Sequence, residues 1–300
     1  MPLIVVSPWS KGGWVDSQLF DHTSLIRFLE ARFAGESSDL IESNITPWRR
    51  AVTGDLTSAF DFEKPDRSHI ELPDTSAYEP TVFVRHGDFV PVPPTDQSLP
   101  GQERGVRRAR ALPYSLHVHG ALGPDGTFLI DFENSGQAGA VLQVRSGNSA
   151  DVPRTYTVGP HKRLSDTWNA TAMGLSNYDL AVYGPNGFFR SFKGGVGIGR
   201  ADVNVRAVDV EDDNGITLVL TNRGSQDAGL EILDKYSGKS LKIELAHGES
   251  ASNSWSLSRT FGWYEFVITV DGDPGFESRL AGHVETGRDS VSDPAMGGLV

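Results

Sequence analysis

Residues 20–24, FDHTS, gather within five positions the side chains that bind a phosphoryl group or move a proton. His22 can contact a phosphoryl oxygen, carry a proton or ligate a metal, and Asp21 beside it can fix the imidazole tautomer or hold a cation. Thr23 and Ser24 open a predicted helix, where free backbone N–H groups backed by the helix dipole attract phosphate or carboxylate. Lys11, followed by Gly12 and Gly13, is within reach of the same pocket. His22 and Asp21 are thus the candidate catalytic residues, and Thr23, Ser24 and Lys11 the candidate phosphate-binding ones. The same residues have a plainer use: Asp21 or Thr23 as an N-cap, the glycine pair as a turn, Trp9 and Trp14 as core anchors.

Elsewhere the chemistry is sparser. His117 and His119 share one face of a predicted strand without an evident third metal ligand, so a solvent-facing or interdomain role is expected. The acidic runs at 211–213 and 271–273 lack the ordered spacing of a calcium loop and are expected to be hairpin turns. Arg104, Arg107, Arg108 and Arg110 form the only basic cluster, expected to be solvated and to make surface ion pairs.

Several kinds of element must position these residues. Leu3–Val6 is a continuous apolar, β-branched run bounded by prolines, the pattern of a parallel strand covered on both faces. Leu25, Ile26, Phe28, Leu29 and Phe33 then repeat at helical spacing over 23–33. In an open α/β sheet the loop between two such elements lies at the carboxyl end of the strand, where ligands bind. Residues 43–62 read as a loop with one short helix. From Lys64 to Pro113, which holds eight of the 17 prolines, periodicity is lost and a linker is expected.

Beyond Pro113 short alternating strands occur in two copies. Asn134 matches Asn222, Gly136 matches Gly224, Gly187 matches Gly275, Phe188 matches Phe276 and Gly194 matches Gly282, all 88 positions apart. About seven strands per copy predict two tandem antiparallel β-sandwiches. The Asn-x-Gly elements are expected to be tight turns with positive φ. Trp168 and Trp255 are expected in the cores. The resulting divisions are 1–63, a linker over 64–110, sandwiches over 111–200 and 201–290, and a tail over 291–300.

A formal charge of −12, from 39 acidic and 27 basic side chains, argues against nucleic acid and against electrostatic docking on anionic membranes. There is no cysteine, so no disulfide or thiolate metal site is available. No window reaches the roughly 20 apolar residues of a membrane span, and the opening MPLIVVSPW lacks the basic start of an export signal.

The strings SPWSKGGWVDSQLFDHTSLIRFLEARF and ESNITPWRRAVTGDLTSAFDF, the proline-rich connector, the two β copies and GHVETGRDSVSDPAM at 282–296 together resemble bacterial phosphocholine-preferring phospholipases C. The resemblance covers essentially all 300 residues. It implies a mainly β chain, with a short α/β remnant of an alkaline-phosphatase-like catalytic domain ahead of the two sandwiches. The implied activity is hydrolysis of phosphatidylcholine or sphingomyelin to phosphocholine and diacylglycerol or ceramide by a hydroxyl nucleophile. A phospholipid substrate is implied for the complete enzyme, with either positive groups or a divalent metal stabilising the charge on the phosphoryl oxygens; the cofactor is left open. Complete members are secreted or periplasmic.

This sequence departs from the family pattern by lacking the upstream Glu-Asn-Arg-Ser-Phe-Asp-His and Gly-Gly-Trp-Tyr-Asp-His motifs and the nucleophile region. The chain is therefore expected to be a C-terminal portion, missing the catalytic part and inactive alone. The alternative is a non-catalytic lipid- or protein-binding tandem β-sandwich module; a third reading has the β repeats brace the catalytic domain. Residues 1–63 are expected to be poorly ordered or aggregation-prone alone, and 111–290 to fold independently.

Overall fold

The computed structural model describes residues 3–35, 38–69, 71–74, 76, 92–93, 95–98, 101, 103–123, 125–148, 151–170, 177–210 and 214–300. Much of the proline-rich stretch, and the acidic run at 211–213, lie outside them.

The duplicated region is two seven-stranded units. The first holds β2 (Leu116–Leu122), β3 (Thr127–Asn134), β4 (Ala140–Ser146), β5 (Arg154–Val158), β6 (Lys162–Asn169), β7 (Asn177–Tyr183) and β8 (Phe189–Gly195). The second holds β9 (Val203–Val210), β10 (Gly215–Asn222), β11 (Ala228–Asp234), β12 (Lys239–Leu245), β13 (Ser250–Ser256), β14 (Trp263–Val270) and β15 (Asp273–His283). In each, a three-stranded antiparallel sheet, β2-β3-β6 or β13-β10-β9, covers a four-stranded one. Alternation along each strand builds the core: Phe128, Ile130 and Phe132 of β3 point inward, as do Ile216, Leu218 and Leu220 of β10. Trp168 is buried in the first core and Trp255 packs against the second.

The two four-stranded sheets are one. β8 pairs antiparallel with β15, giving a continuous eight-stranded sheet in the order β12-β11-β14-β15-β8-β7-β4-β5. Joining edges removes two exposed rows of unpaired backbone groups. Buried Arg190 of β8 crosses this seam, donating to the Ala281 carbonyl at 2.9 Å and to the Tyr264 hydroxyl at 2.8 Å. Asn204 Nδ2 donates across the same boundary to the Gly120 carbonyl at 2.9 Å.

The expectation of positive φ at the Asn-x-Gly elements fails, and the tight turn falls on an adjacent Asn-Gly pair instead. Asn186 and Gly187, with φ of 51° and 74°, form the tight turn between β7 and β8. Gly136 and Gly224 are not in the positive-φ region. The Asn-x-Gly elements at 134–136 and 222–224 instead bury their asparagines as side-chain ties between sheets. The 271–273 element is the β14–β15 hairpin, with Gly272 at φ 79°. Its Asp273 carboxylate accepts from Ala201 N–H at 2.9 Å and Arg200 at 3.2 Å.

Ahead of the repeats lie α1 (His22–Phe33) and α2 (Pro47–Val52). Leu3–Val6 is not a strand: it is irregular, with Ile4 87% and Val6 92% exposed. A parallel strand needs neighbours on both sides to bond its backbone, and none is supplied among the described residues. The apolar side of α1 is likewise exposed at Leu25, Ile26, Leu29 and Phe33, while Phe28 stacks on Phe60 at 5.1 Å. The region nevertheless seats on the first repeat. Leu19 N–H donates to the Tyr114 hydroxyl at 3.1 Å, Gly139 N–H to the Ala51 carbonyl at 3.0 Å and Trp48 Nε1 to Thr157 Oγ1 at 2.9 Å.

The chain end is tied down as well. β1 (Arg108–Ala109) pairs with β16 (Ser290–Val291) on one side and bridges Val15 on the other. Trp263 Nε1 donates to the Val291 carbonyl at 2.9 Å.

Candidate functional site

The 20–24 segment folds as a helix N-terminus because Asp21, extended at φ −139°, turns its carboxylate back on the first turn. Its Oδ1 accepts from Thr23 N–H at 2.8 Å and Thr23 Oγ1 at 2.6 Å, and Asp21 N–H donates to Ser24 Oγ at 3.1 Å, a reciprocal capping box. The Ser24 N–H donates to the Asp21 carbonyl at 3.0 Å. Arg49 of α2 pairs with the other carboxylate oxygen. Burial pushes the Asp21 carboxyl up, but the Thr23 and Arg49 bonds outweigh it and hold it below the usual range.

These bonds sort the five predicted residues. Asp21, Thr23 and Ser24 are brought together, but their polar atoms are spent on one another, and the N–H groups expected to face a phosphate face Asp21. Lys11 lies with the 66–68 loop, bonding the Ser68 carbonyl and donating to Ser68 Oγ at 2.5 Å, with Asp66 at 3.5 Å. His22, the first residue of α1, is exposed, and no described residue hydrogen-bonds its ring.

About two turns further, α1 is anchored through a charge. Glu30 accepts from Arg50 at 2.7 and 2.9 Å and from Glu42 N–H at 2.7 Å. The Arg50 bonds, against the opposing effect of burial, hold the Glu30 carboxyl down to about 2, from 4.5. A carboxyl depressed on folding stabilises above its unfolded pKa and loses that contribution as pH falls through the folded one. Between pH 4.5 and about 2, α1 is expected to detach from α2, seen as a step in tryptophan emission or faster amide exchange over 22–33. Glu30→Gln is expected to abolish the step and cost on the order of 2 kcal/mol at neutral pH.

Beside this segment is a cavity of about 720 Å³, between residues 3–20 and the first repeat's 185–186 turn. None of the five predicted residues lines it. Arg110 does, and it is 8% exposed, so the expectation of a wholly solvated arginine cluster fails at this position. Its guanidinium lies over the Trp14 ring at 4.0 Å, a contact no local charge pattern reveals. Arg107, by contrast, makes the expected surface pair with Glu103.

His117 and His119 form no metal site with a third ligand; among the described residues no three His, Asp or Glu side chains cluster as metal ligands. Burial, helped by the Arg206 and Arg190 charges, pushes the His119 imidazole down to about 4. No helix of the described residues is long and apolar enough to cross a membrane.

A family model described as bacterial phospholipase C, C-terminal domain, matches residues 108–195 and again 200–283, once per β unit. A model described as phosphoesterase family matches residues 1–34. The chain is 50% identical over 302 residues to a non-hemolytic phospholipase C of Burkholderia pseudomallei, covering 99% of this chain and 43% of that protein. A non-hemolytic phospholipase C of Pseudomonas aeruginosa is 42% identical over 307 residues, at the same coverages. A hemolytic phospholipase C of that organism is 35% identical over 336 residues, covering 99% of this chain and 44% of the relative. The chain thus spans less than half the length of these relatives.

Proposed function

Because the chain belongs to the bacterial phospholipase C family, whose C-terminal domain it carries twice, we propose that it acts as the C-terminal portion of an exported phosphodiesterase that cleaves choline phospholipids. The observation that carries this is similarity along 99% of the chain to relatives named phospholipase C, of which it matches 43%. The products are phosphocholine and diacylglycerol or ceramide.

In this reading the hydroxyl that attacks phosphorus comes from the portion these 300 residues do not contain. The uncovered side of α1 and the strand-like run Leu3–Val6 pack against that portion's parallel sheet, which supplies the missing cover. Packing there turns His22 toward the phosphoryl oxygens, while Asp21, Thr23 and Ser24 hold the turn that carries it. Lys11 adds positive charge at the rim once released from Asp66 and Ser68. The first β unit braces this edge through the Tyr114–Leu19 and Ala51–Gly139 bonds.

The test is hydrolysis of p-nitrophenylphosphorylcholine. The purified chain is expected to turn over at background, and to gain activity when fused to the part of the Burkholderia relative outside the aligned 43%. Turnover by the chain alone overturns the dependence on a second portion, and a folded, inactive fusion overturns the phospholipase reading. Two closed β cores that hold no residue of 3–63 favour a second reading, a binding module. Co-sedimentation of the chain with phosphatidylcholine liposomes, together with an inactive fusion, would support that one.

A further inference from the structure

We infer that the cavity between the N-terminal segment and the first repeat binds a single-chain amphiphile with an anionic head, its charge seated on Arg110. At about 720 Å³ the space falls within the roughly 300–1,000 Å³ of small-molecule sites. Its walls are largely apolar, with Leu3, Ile4, Leu19, Phe20, Leu56 and Pro185 among them.

Arg110 is the feature that selects the ligand. It lines the cavity at 8% exposure. Its Nη1 is 3.5 Å from Asp289 Oδ2 and its Nη2 is 3.5 Å from the Ala59 carbonyl, both at the outer limit of hydrogen bonding. Its Nε is buried without any partner. A guanidinium presents five donors, and a buried donor left unmatched costs free energy. A carboxylate or phosphate monoester offers two oxygens in the geometry of that fork.

Two carboxylates stand near the guanidinium: Asp289 pairs with it only at 3.5 Å, is 46% exposed and accepts from Ala111 N–H at 3.1 Å, and the other is engaged elsewhere. Asp16 also lines the cavity, but its Oδ1 accepts from Gln18 N–H at 3.0 Å and its Oδ2 from Ser58 Oγ at 2.7 Å. The apolar wall accommodates an alkyl chain, and the Trp14 face behind the guanidinium fixes its plane. The site shares no residue with those assigned to phosphodiester cleavage. Its walls Leu3 and Ile4 belong to the run that packs on the second portion in the hydrolytic reading, so it is a site of this chain by itself and is tested there, apart from hydrolysis.

The experiment titrates the 300-residue chain with dodecyl phosphate and with laurate, below their micellar concentrations, following tryptophan emission and thermal unfolding. Inorganic phosphate and dodecyltrimethylammonium at equal concentration are the controls. Saturable binding of either anionic amphiphile with a raised unfolding temperature, absent for both controls, is expected. Which of the two binds more tightly tells a phosphate head from a carboxylate. Arg110→Gln is expected to weaken binding about 10- to 100-fold, and Arg110→Lys less. Ile4→Asp alters an exposed wall position that folding does not require and is expected to weaken binding at least several-fold through repulsion. Equal binding of the cationic amphiphile, undiminished binding by folded Arg110→Gln or by Ile4→Asp, or no saturation overturns the inference.

Discussion

Asn222→Ala is expected to destabilise the second repeat by about 3–5 kcal/mol, and Asn134→Ala the first by as much. Each asparagine ends the central strand of a three-stranded sheet and is essentially fully buried, at 1% and 0% exposure. Asn222 Nδ2 donates to the Gln226 carbonyl at 2.8 Å and the Leu245 carbonyl at 3.1 Å, and its Oδ1 accepts from Gly224 N–H at 3.0 Å. Asn134 repeats this with Ala138 at 2.8 Å, Val158 at 3.0 Å and Gly136 N–H at 2.9 Å. Val158 and Leu245 end strands of the opposite sheet, so each side chain ties the two layers where the chain crosses between them. In the first repeat alanine leaves the Ala138 and Val158 carbonyls and Gly136 N–H without this partner. In the second it strips the Gln226 and Leu245 carbonyls, while Gly224 N–H keeps the Asp202 carbonyl at 3.1 Å. Each buried group left unmatched is worth about 1–3 kcal/mol. A thermal melt followed by circular dichroism should show the unfolding temperature lowered by about 10 °C. Asn→Asp should be no better, because it sets a carboxylate oxygen against two carbonyls. A loss under 1 kcal/mol in either alanine variant would show the tie to be dispensable.

The duplication that carries these asparagines is legible because strand alternation and side-chain identity are local properties. Asn134 and Asn222, Gly194 and Gly282 could be paired without knowing what they touch. Their purpose was not legible. Asn-x-Gly shares the composition of positive-φ turns such as the adjacent pair Asn186-Gly187, but Gly136 is needed for close approach: a Cβ there would lie 2.5 Å from the Pro113 carbonyl oxygen. Only the crossing chain, set by tertiary packing, distinguishes the two uses. The joining of β8 to β15 is hidden for a related reason, since edge pairing is made by backbone groups that every residue carries.

The N-terminal region shows the same limit from the other side. Leu3–Val6 has the apolar run of a covered strand, yet a strand exists through its neighbours, and the apolar run alone does not make one here. The apolar spacing over 23–33 predicts the helix that α1 forms, but which side packs is decided by the Glu30–Arg50 pair. Arg110 stood among three other arginines and read as solvated. Its burial comes from Trp14, almost a hundred positions earlier, which sequence proximity does not encode.

His22→Ala in the fused, active enzyme is expected to lower kcat about 10²- to 10⁴-fold, the usual contribution of a positioned proton-transfer or charge-stabilising group. The five predicted residues do not stand on equal terms. Asp21, Thr23 and Ser24 are consumed by the capping box and Lys11 by the 66–68 loop, whereas the His22 ring carries no hydrogen bond to any described residue. Its removal should therefore leave the unfolding temperature unchanged while activity collapses. Asp21→Ala should do the reverse in part: loss of the N-cap costs about 1–2 kcal/mol, and turnover falls only as far as the His22 turn is loosened. Measured side by side, kcat and melting temperature separate a residue that meets phosphate from one that holds the backbone. Should His22→Ala keep kcat within threefold while Asp21→Ala loses most of it, the carboxylate and not the imidazole is the group that works on the substrate.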